Sequence, residues 1–280
     1  MSLALAVALA MASAPSPCTP VPGAAQLWRQ EMRWVVVGEM HGTNETPAAF
    51  ANLACLAAGT GRPVVVAIEW SSDWQSAVDA YLASDGDEAA RRDLLKLPHW
   101  RSDYQDGRAS RAFMAMLERF RLMRRAGLVA GVSCFDVSGR APHEGTRDFA
   151  MAQAWQSVAA PDDALILILV GNVHAMRRPF ALTERTIETA GSLLPRARTM
   201  TVNVVGNGGT AWNCRADGCG VNGNGPPRSA AAGIRFSASS DDRWDAIYEL
   251  GLPTTAAEPA LDAGDAPPHR DAAGVSQDAR

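Results

Sequence analysis

Lysine is almost missing from this chain: Lys96 is the single one in 280 residues, and arginine carries nearly all the positive charge. With a net charge of -4 and a pI of about 5.7, no basic surface argues for nucleic acid or an anionic membrane. The arginine skew, with abundant Ala, Gly and Asp, reads as a GC-rich coding sequence rather than a binding surface. There is no Gly-x-Ser-x-Gly elbow, which argues against an ordinary serine hydrolase. There is no His-Glu-x-x-His and no Walker loop, so neither a zincin nor a P-loop enzyme is indicated. The leading apolar stretch, Met1 to Ala12, is too short to span a bilayer.

Against these absences stands one short pattern that occurs twice. Trp34-Val35-Val36-Val37 runs into Gly38-Glu39-Met40-His41, and Leu165 to Val170 runs into Gly171-Asn172-Val173-His174. Runs this short and this apolar are expected as strands buried on both faces of a parallel sheet. The glycine is expected to let the chain turn as it leaves the sheet. Each histidine then stands just beyond a strand's carboxyl end, the edge where open α/β sheets bind ligands. Two histidines at one edge predict one site.

Two further predicted strands end in an acid. Val64 to Ile68 is followed by Glu69, and Leu128 to Phe135 by Asp136. A carboxylate after such a run is desolvated and needs a cation, a metal or a proton. Carboxylates with imidazoles are the ligand set of a divalent metal and also of a general acid/base site. Glu39 can orient His41, ligate a metal or act as base. Glu45, in Asn44-Glu45-Thr46-Pro47, is read either as a helix-start acid favoured by the dipole or as a substrate contact. The polar, aromatic stretch from His99 to Arg108 is expected to overhang the site, with Arg101 or Arg108 holding a substrate carboxylate or an oxyanion.

Apolar content of 47% fits a globular protein with a substantial core. Alternating strand and helix signals predict an α/β fold: a central, mainly parallel sheet flanked by helices. Helices are expected near Thr46 to Ala58, Asp73 to Ala83, Asp87 to Lys96, Ser110 to Ala126 and Thr146 to Ser157. Beyond Thr183 come a strand (Thr199 to Val205), a Gly- and Asn-rich hairpin region and a closing strand (Trp244 to Leu250). Residues 1–14 read as a signal peptide with a small-residue exit, 15–30 as a linker, 31–253 as one domain and 254–280 as a disordered tail. Export to the periplasm or outside follows from the leader; Pro15-Ser16-Pro17 is a poor approach to lipidation of Cys18. In that setting Cys214 and Cys219, around a turn sequence, read as a small disulfide. Cys55 and Cys134 read as buried small apolar residues, leaving Cys18 as the odd one out.

Gly38-Glu39-Met40-His41-Gly42-Thr43-Asn44-Glu45-Thr46-Pro47 resembles the opening motif of the erythromycin esterase / ChaN / Tiki (TraB-like) superfamily, and Gly171-Asn172-Val173-His174-Ala175 resembles its second motif. The likeness covers roughly Arg33 to Gly251 and is specific only at those two motifs. That family includes ChaN-like haem-binding uptake proteins, to which the chain is most similar, as well as metalloproteases and macrolide esterases. The resemblance implies a site formed by Glu39, His41, Glu69 and His174. The chain is too short for the helical additions of macrolide esterases. Two functions follow as expectations. The first is a hydrolase of ester or peptide bonds, assisted by Zn, Mn or Co on His41, Glu69 and His174, with Asp136 among the substrate contacts. The second is a haem binder using the same histidines, with Trp70 and Trp100 against the porphyrin. A small-molecule or peptide substrate, or haem, is the expected partner, and nucleic acid is not.

Overall fold

The computed structural model describes residues 17–102, 104–137, 146–182, 185–216, 218–239 and 242–261. The putting-together of the sheet follows the sequence. The strands are β1 (Trp34–Glu39), β2 (Val64–Ser71), β3 (Gly131–Asp136), β4 (Leu165–Gly171), β5 (Phe180–Leu182), β6 (Arg185–Ile187), β7 (Thr199–Val205), β8 (Thr210–Arg215), β9 (Gly218–Gly223), β10 (Gly233–Phe236) and β11 (Ala246–Glu249). Seven of them form one sheet in the order β10-β11-β7-β1-β4-β2-β3, and every pairing in it is parallel except β10 with β11. This is the predicted α/β fold, with small antiparallel pairs β5-β6 and β8-β9 beside it.

The helices are α1 (Glu45–Ala58), α2 (Gln75–Ala83), α3 (Glu88–Leu94), α4 (Arg111–Arg125) and α5 (Thr146–Gln156). Period-two alternation along each strand divides the core between the two faces of the sheet. Val35, Val37, Val66, Ile68, Leu167 and Leu169 join Phe50 and Leu53 of α1 and Phe113 and Phe120 of α4. Trp34, Val36, Ala67, Ile166, Ile168 and Val170 join Met151 and Trp155 of α5. Helix α5 therefore lies on the opposite face from α1, α2 and α4, and its first turn reaches the carboxyl edge of the sheet.

Several expectations need correction. Cys18 is bonded to Cys55 across 37 residues, so Cys55 is more than an apolar filler and Cys18 is not left over. Cys214–Cys219 forms as expected and closes the β8-β9 hairpin, while Cys134 is free and buried, its thiol pushed up to about 12 by desolvation. Two disulfides fit an oxidising compartment. Part of the expected linker is structured: Ala24–Trp28 forms a short 3-10 turn that buries Leu27 in the core. Residues 254–261, expected within the disordered tail, instead bridge Gly209, Thr43 and Ser110 in turn. The expected signal peptide and residues 262–280 lie outside the described residues. Gly218-Cys219-Gly220-Val221-Asn222-Gly223 spells the glycine pattern of dinucleotide sites, but it is a hairpin strand and opens no helix. Among the described residues no helix is long and apolar enough to cross a membrane.

Candidate active site at the carboxyl edge of the sheet

The two matched motifs meet. Glu39 pairs in register with Gly171, so the ends of β1 and β4 lie side by side and both histidines rise from the same notch. A Cβ at Gly171 would stand 3.3 Å from His41 Nε2 and 3.5 Å from His174 Cδ2. A Cβ at Gly38 would lie 2.9 Å from the Ala175 Cβ and 3.0 Å from the Asn172 Cα. Both glycines thus serve close approach; neither has a positive φ, contrary to the turn role read from sequence. Gly42 is the position that needs a positive φ (82°), and a side chain there would overlap the Trp212 carbonyl.

His41 is held from behind. Its Nδ1 lies 2.8 Å from Glu39 Oε1, and Glu39 is buried with its second oxygen unpartnered. Its Nε2 faces the notch, 3.5 Å from Glu69 Oε2. Burial alone lowers the basicity of this imidazole, but the carboxylates of Glu69 and Glu39 outweigh it and raise the His41 pKa above its ordinary value. Burial pushes Glu39 upward, and its contact with His41 offsets part of that.

Glu69 is the hub. It is buried, which by itself would favour the neutral acid, yet His41, Arg108 and Arg147 hold it far below the usual carboxylate range. Oε1 accepts from Arg147 Nη2 at 2.6 Å and lies 2.9 Å from Arg108 Nη1; Oε2 accepts from the Gly171 amide at 2.7 Å. Arg147 also binds both oxygens of Asp136, at 3.1 and 3.0 Å. Its Nη1 lies 2.9 Å from His174 Nε2. A guanidinium only donates, so Nε2 accepts and His174 carries its hydrogen on Nδ1, donated to Asp148 Oδ1 at 2.8 Å. The Ala190 amide donates to that same oxygen.

Arg108 comes from the predicted overhanging segment. Its guanidinium is clamped by Asp106, and its carbonyl accepts from His99 Nε2 at 2.9 Å and Trp70 Nε1 at 3.3 Å. Burial drives His99 down to about 4, so its ring is a neutral donor in this clamp. Trp70 and Trp100 are each 1% exposed and pack with His99 and Phe113, which takes them out of reach as walls for a porphyrin.

The structure thus gathers Glu39, His41, Glu69, Arg108, Asp136 and His174. It leaves Glu45 and Arg101 apart from them. Glu45 opens α1 and accepts from the Thr255 amide and hydroxyl, which fastens the 254–261 segment. Arg101 lies exposed at the end of a short turn. Sequence reasoning missed Arg147, Asp148 and Asp106. Asp148 had only the bland look of an acid in a helix's first turn, and nothing local places Arg147 over the ends of β2 and β3.

The expected metal does not fit this donor set. Arg147 stands between Glu69 and His174, filling with its own cationic group the place where the ion would sit. Among the described residues no group of three or more His, Cys, Asp or Glu side chains is arranged to hold a metal.

No family model matches the chain, and no curated protein does. Solved structures do. A mutant of the erythromycin esterase EreC in its open conformation aligns with a TM-score of 0.57 at 11% identity, covering 84% of this chain and 89% of that one. A succinoglycan biosynthesis protein aligns with a TM-score of 0.55 at 10% identity, covering 81% and 89%. A Bacillus cereus protein aligns with a TM-score of 0.51 at 10% identity, covering 88% and 96%. The chain shares the fold of these proteins.

Proposed function

We propose that this protein hydrolyses carboxylic esters, with water activated at His41 and no resident metal. The observation that carries the proposal is the placement of His41: Nδ1 is anchored to the buried Glu39, while Nε2 opens onto the notch beside the Arg108–Glu69–Arg147 group. That is the geometry of a general base backed by an acid. The fold shared with a protein called an erythromycin esterase supports the reading.

In this scheme a water in the notch gives a proton to His41 Nε2 as its oxygen adds to the ester carbonyl. The oxyanion that forms is met by Arg147 and Arg108, already fixed by Glu69, Asp136 and Asp106 and so needing little reorganisation. On collapse the C–O bond breaks, and the leaving alkoxide takes the proton back from His41. The products are acid and alcohol. His174 does not touch the proton in flight; it orients Arg147 and is itself oriented by Asp148.

The test is a panel of aliphatic and aryl esters and lactones, assayed with the wild type and His41→Ala, alongside elemental analysis and an absorbance spectrum of the same samples. The proposal expects turnover that chelators leave intact and that falls about a hundredfold or more in His41→Ala. Stoichiometric metal lost on His41→Ala would replace it with the metal-assisted reading. A Soret band shifted by that substitution would replace it with haem binding.

A further inference from the structure

We infer that the notch has an uncharged polar subsite beside it, and that this subsite takes a hydroxyl-bearing ring or short polyol on the ester substrate. The inference rests on the ester-hydrolase reading for its function, though not for the binding itself.

A cleft of about 180 Å³ opens at the ends of β1, β4 and β7, lined among others by Met40, Asn172, Asn203, Val205 and Asn224. Met40 lies between Glu39 and His41, and Asn172 follows Gly171, so the cleft shares two strand ends with the catalytic pair. Its volume is below the range typical of drug-sized pockets and suits a single small ring.

The chemistry of its lining points to hydroxyl groups. Asn203 is 6% exposed, and its Oδ1 is buried with no hydrogen-bond partner. An orphaned buried amide oxygen destabilises until a donor arrives. Asn203 pairs in register with Gly38, which has no side chain to fill the row beside it. Asn224 Nδ2 donates to Thr254 Oγ1, a second amide already oriented at the wall. The one formal charge in the lining, Arg228, is ion-paired to the buried Glu249. Arg235 shares that carboxylate, and both guanidiniums are turned to Glu249 rather than to the amide wall. Amides both donate and accept, as alcohol hydroxyls do, and Met40 and Val205 offer apolar surface to the C–H face of a ring.

The test is a titration of the labelled full chain with myo-inositol and methyl glucoside, read by the side-chain amide resonances of Asn172 and Asn203. Saturable shifts are expected in the wild type and equally in His41→Ala, with affinity about tenfold weaker in Asn203→Leu, the loss of one buried hydrogen bond. Asn172→Ala, at a partly exposed turn, is a second variant expected to weaken binding should Asn203→Leu fail to fold. Absence of shifts, or shifts that both variants leave unchanged, would overturn the subsite. The kinetic arm compares acetylated methyl glucoside with ethyl acetate. KM for the former should rise about tenfold in the Asn variants, with kcat and the ethyl acetate parameters unchanged. Polyol binding without turnover of any ester would sink the hydrolase reading alone. Turnover that ignores the hydroxyls would sink the subsite alone.

Discussion

His41 works through the two acids that bracket it. Because Glu69 and Glu39 raise its pKa against the effect of burial, the free base is withheld at low pH and released as pH rises. Activity should therefore climb through an apparent pKa above the ordinary histidine value, and a kcat/KM profile reads this directly. Gly171 is a second sensitive position. In Gly171→Ala the new methyl group would stand 3.3 Å from His41 Nε2 and occupy the open face of the notch. Activity should fall at least tenfold while the fold is retained, since the residue has no positive φ and the methyl meets no backbone atom but presses on the fixed His41 ring. Loss of stability without loss of turnover would place the notch elsewhere.

The strand ends and the first turn of α5 act together through Glu69. Removing that charge takes the shared carboxylate from two guanidiniums that keep only Asp136 and Asp106, so Glu69→Gln should lower stability by about 3 kcal/mol in a denaturant titration, whereas breaking an exposed pair such as Lys96–Asp93 should leave the midpoint nearly unchanged. These elements also mark where the sequence was readable. β1, β2 and β4 announce themselves as short apolar runs because both their faces are buried, and the two Gly-x-x-His ends show through because the same packing is made twice. Arg147 was not readable, since its partners lie 11, 27 and 78 residues away and only the tertiary crossing of α5 joins them. The ordered 254–261 segment hides for a similar reason. It is held by backbone bridges and Glu45, neither of which leaves an apolar period. Cys18–Cys55 joins a segment with no periodic signal to a helix, so spacing could not reveal it.

Several buried or half-buried carboxylates are tied to arginines: Glu69, Asp106, Glu118, Asp245 and Glu249 are all held below their ordinary values, each against the effect of its own burial. A depressed pKa contributes stability that is present above the unfolded carboxylate range, about 4, and is lost as pH falls through the folded values. For these carboxylates, unfolding followed against pH should accordingly show stability falling steeply below about pH 4. Reduction should act on the whole fold as well. On the chain-entropy account the 37-residue Cys18–Cys55 loop contributes about 4 kcal/mol and the Cys214–Cys219 loop about 2 kcal/mol. Cys18→Ser should thus lower the melting temperature more than Cys214→Ser, which a pair of calorimetric scans would check.

In the proposed reaction His41, tuned by Glu39 and Glu69, is the base of a metal-free site. The most direct measurement is the pH dependence of kcat/KM for a hydrolysed ester, in the presence of chelator, for the wild type and Glu39→Gln. One ionisation above the ordinary histidine value is expected in the wild type. In Glu39→Gln, where a carboxylate that raises His41 is gone and the amide oxygen still receives Nδ1–H, it moves to lower pH. A profile that is flat between about pH 5 and 9, or identical in the two proteins, or abolished by the chelator, would contradict it.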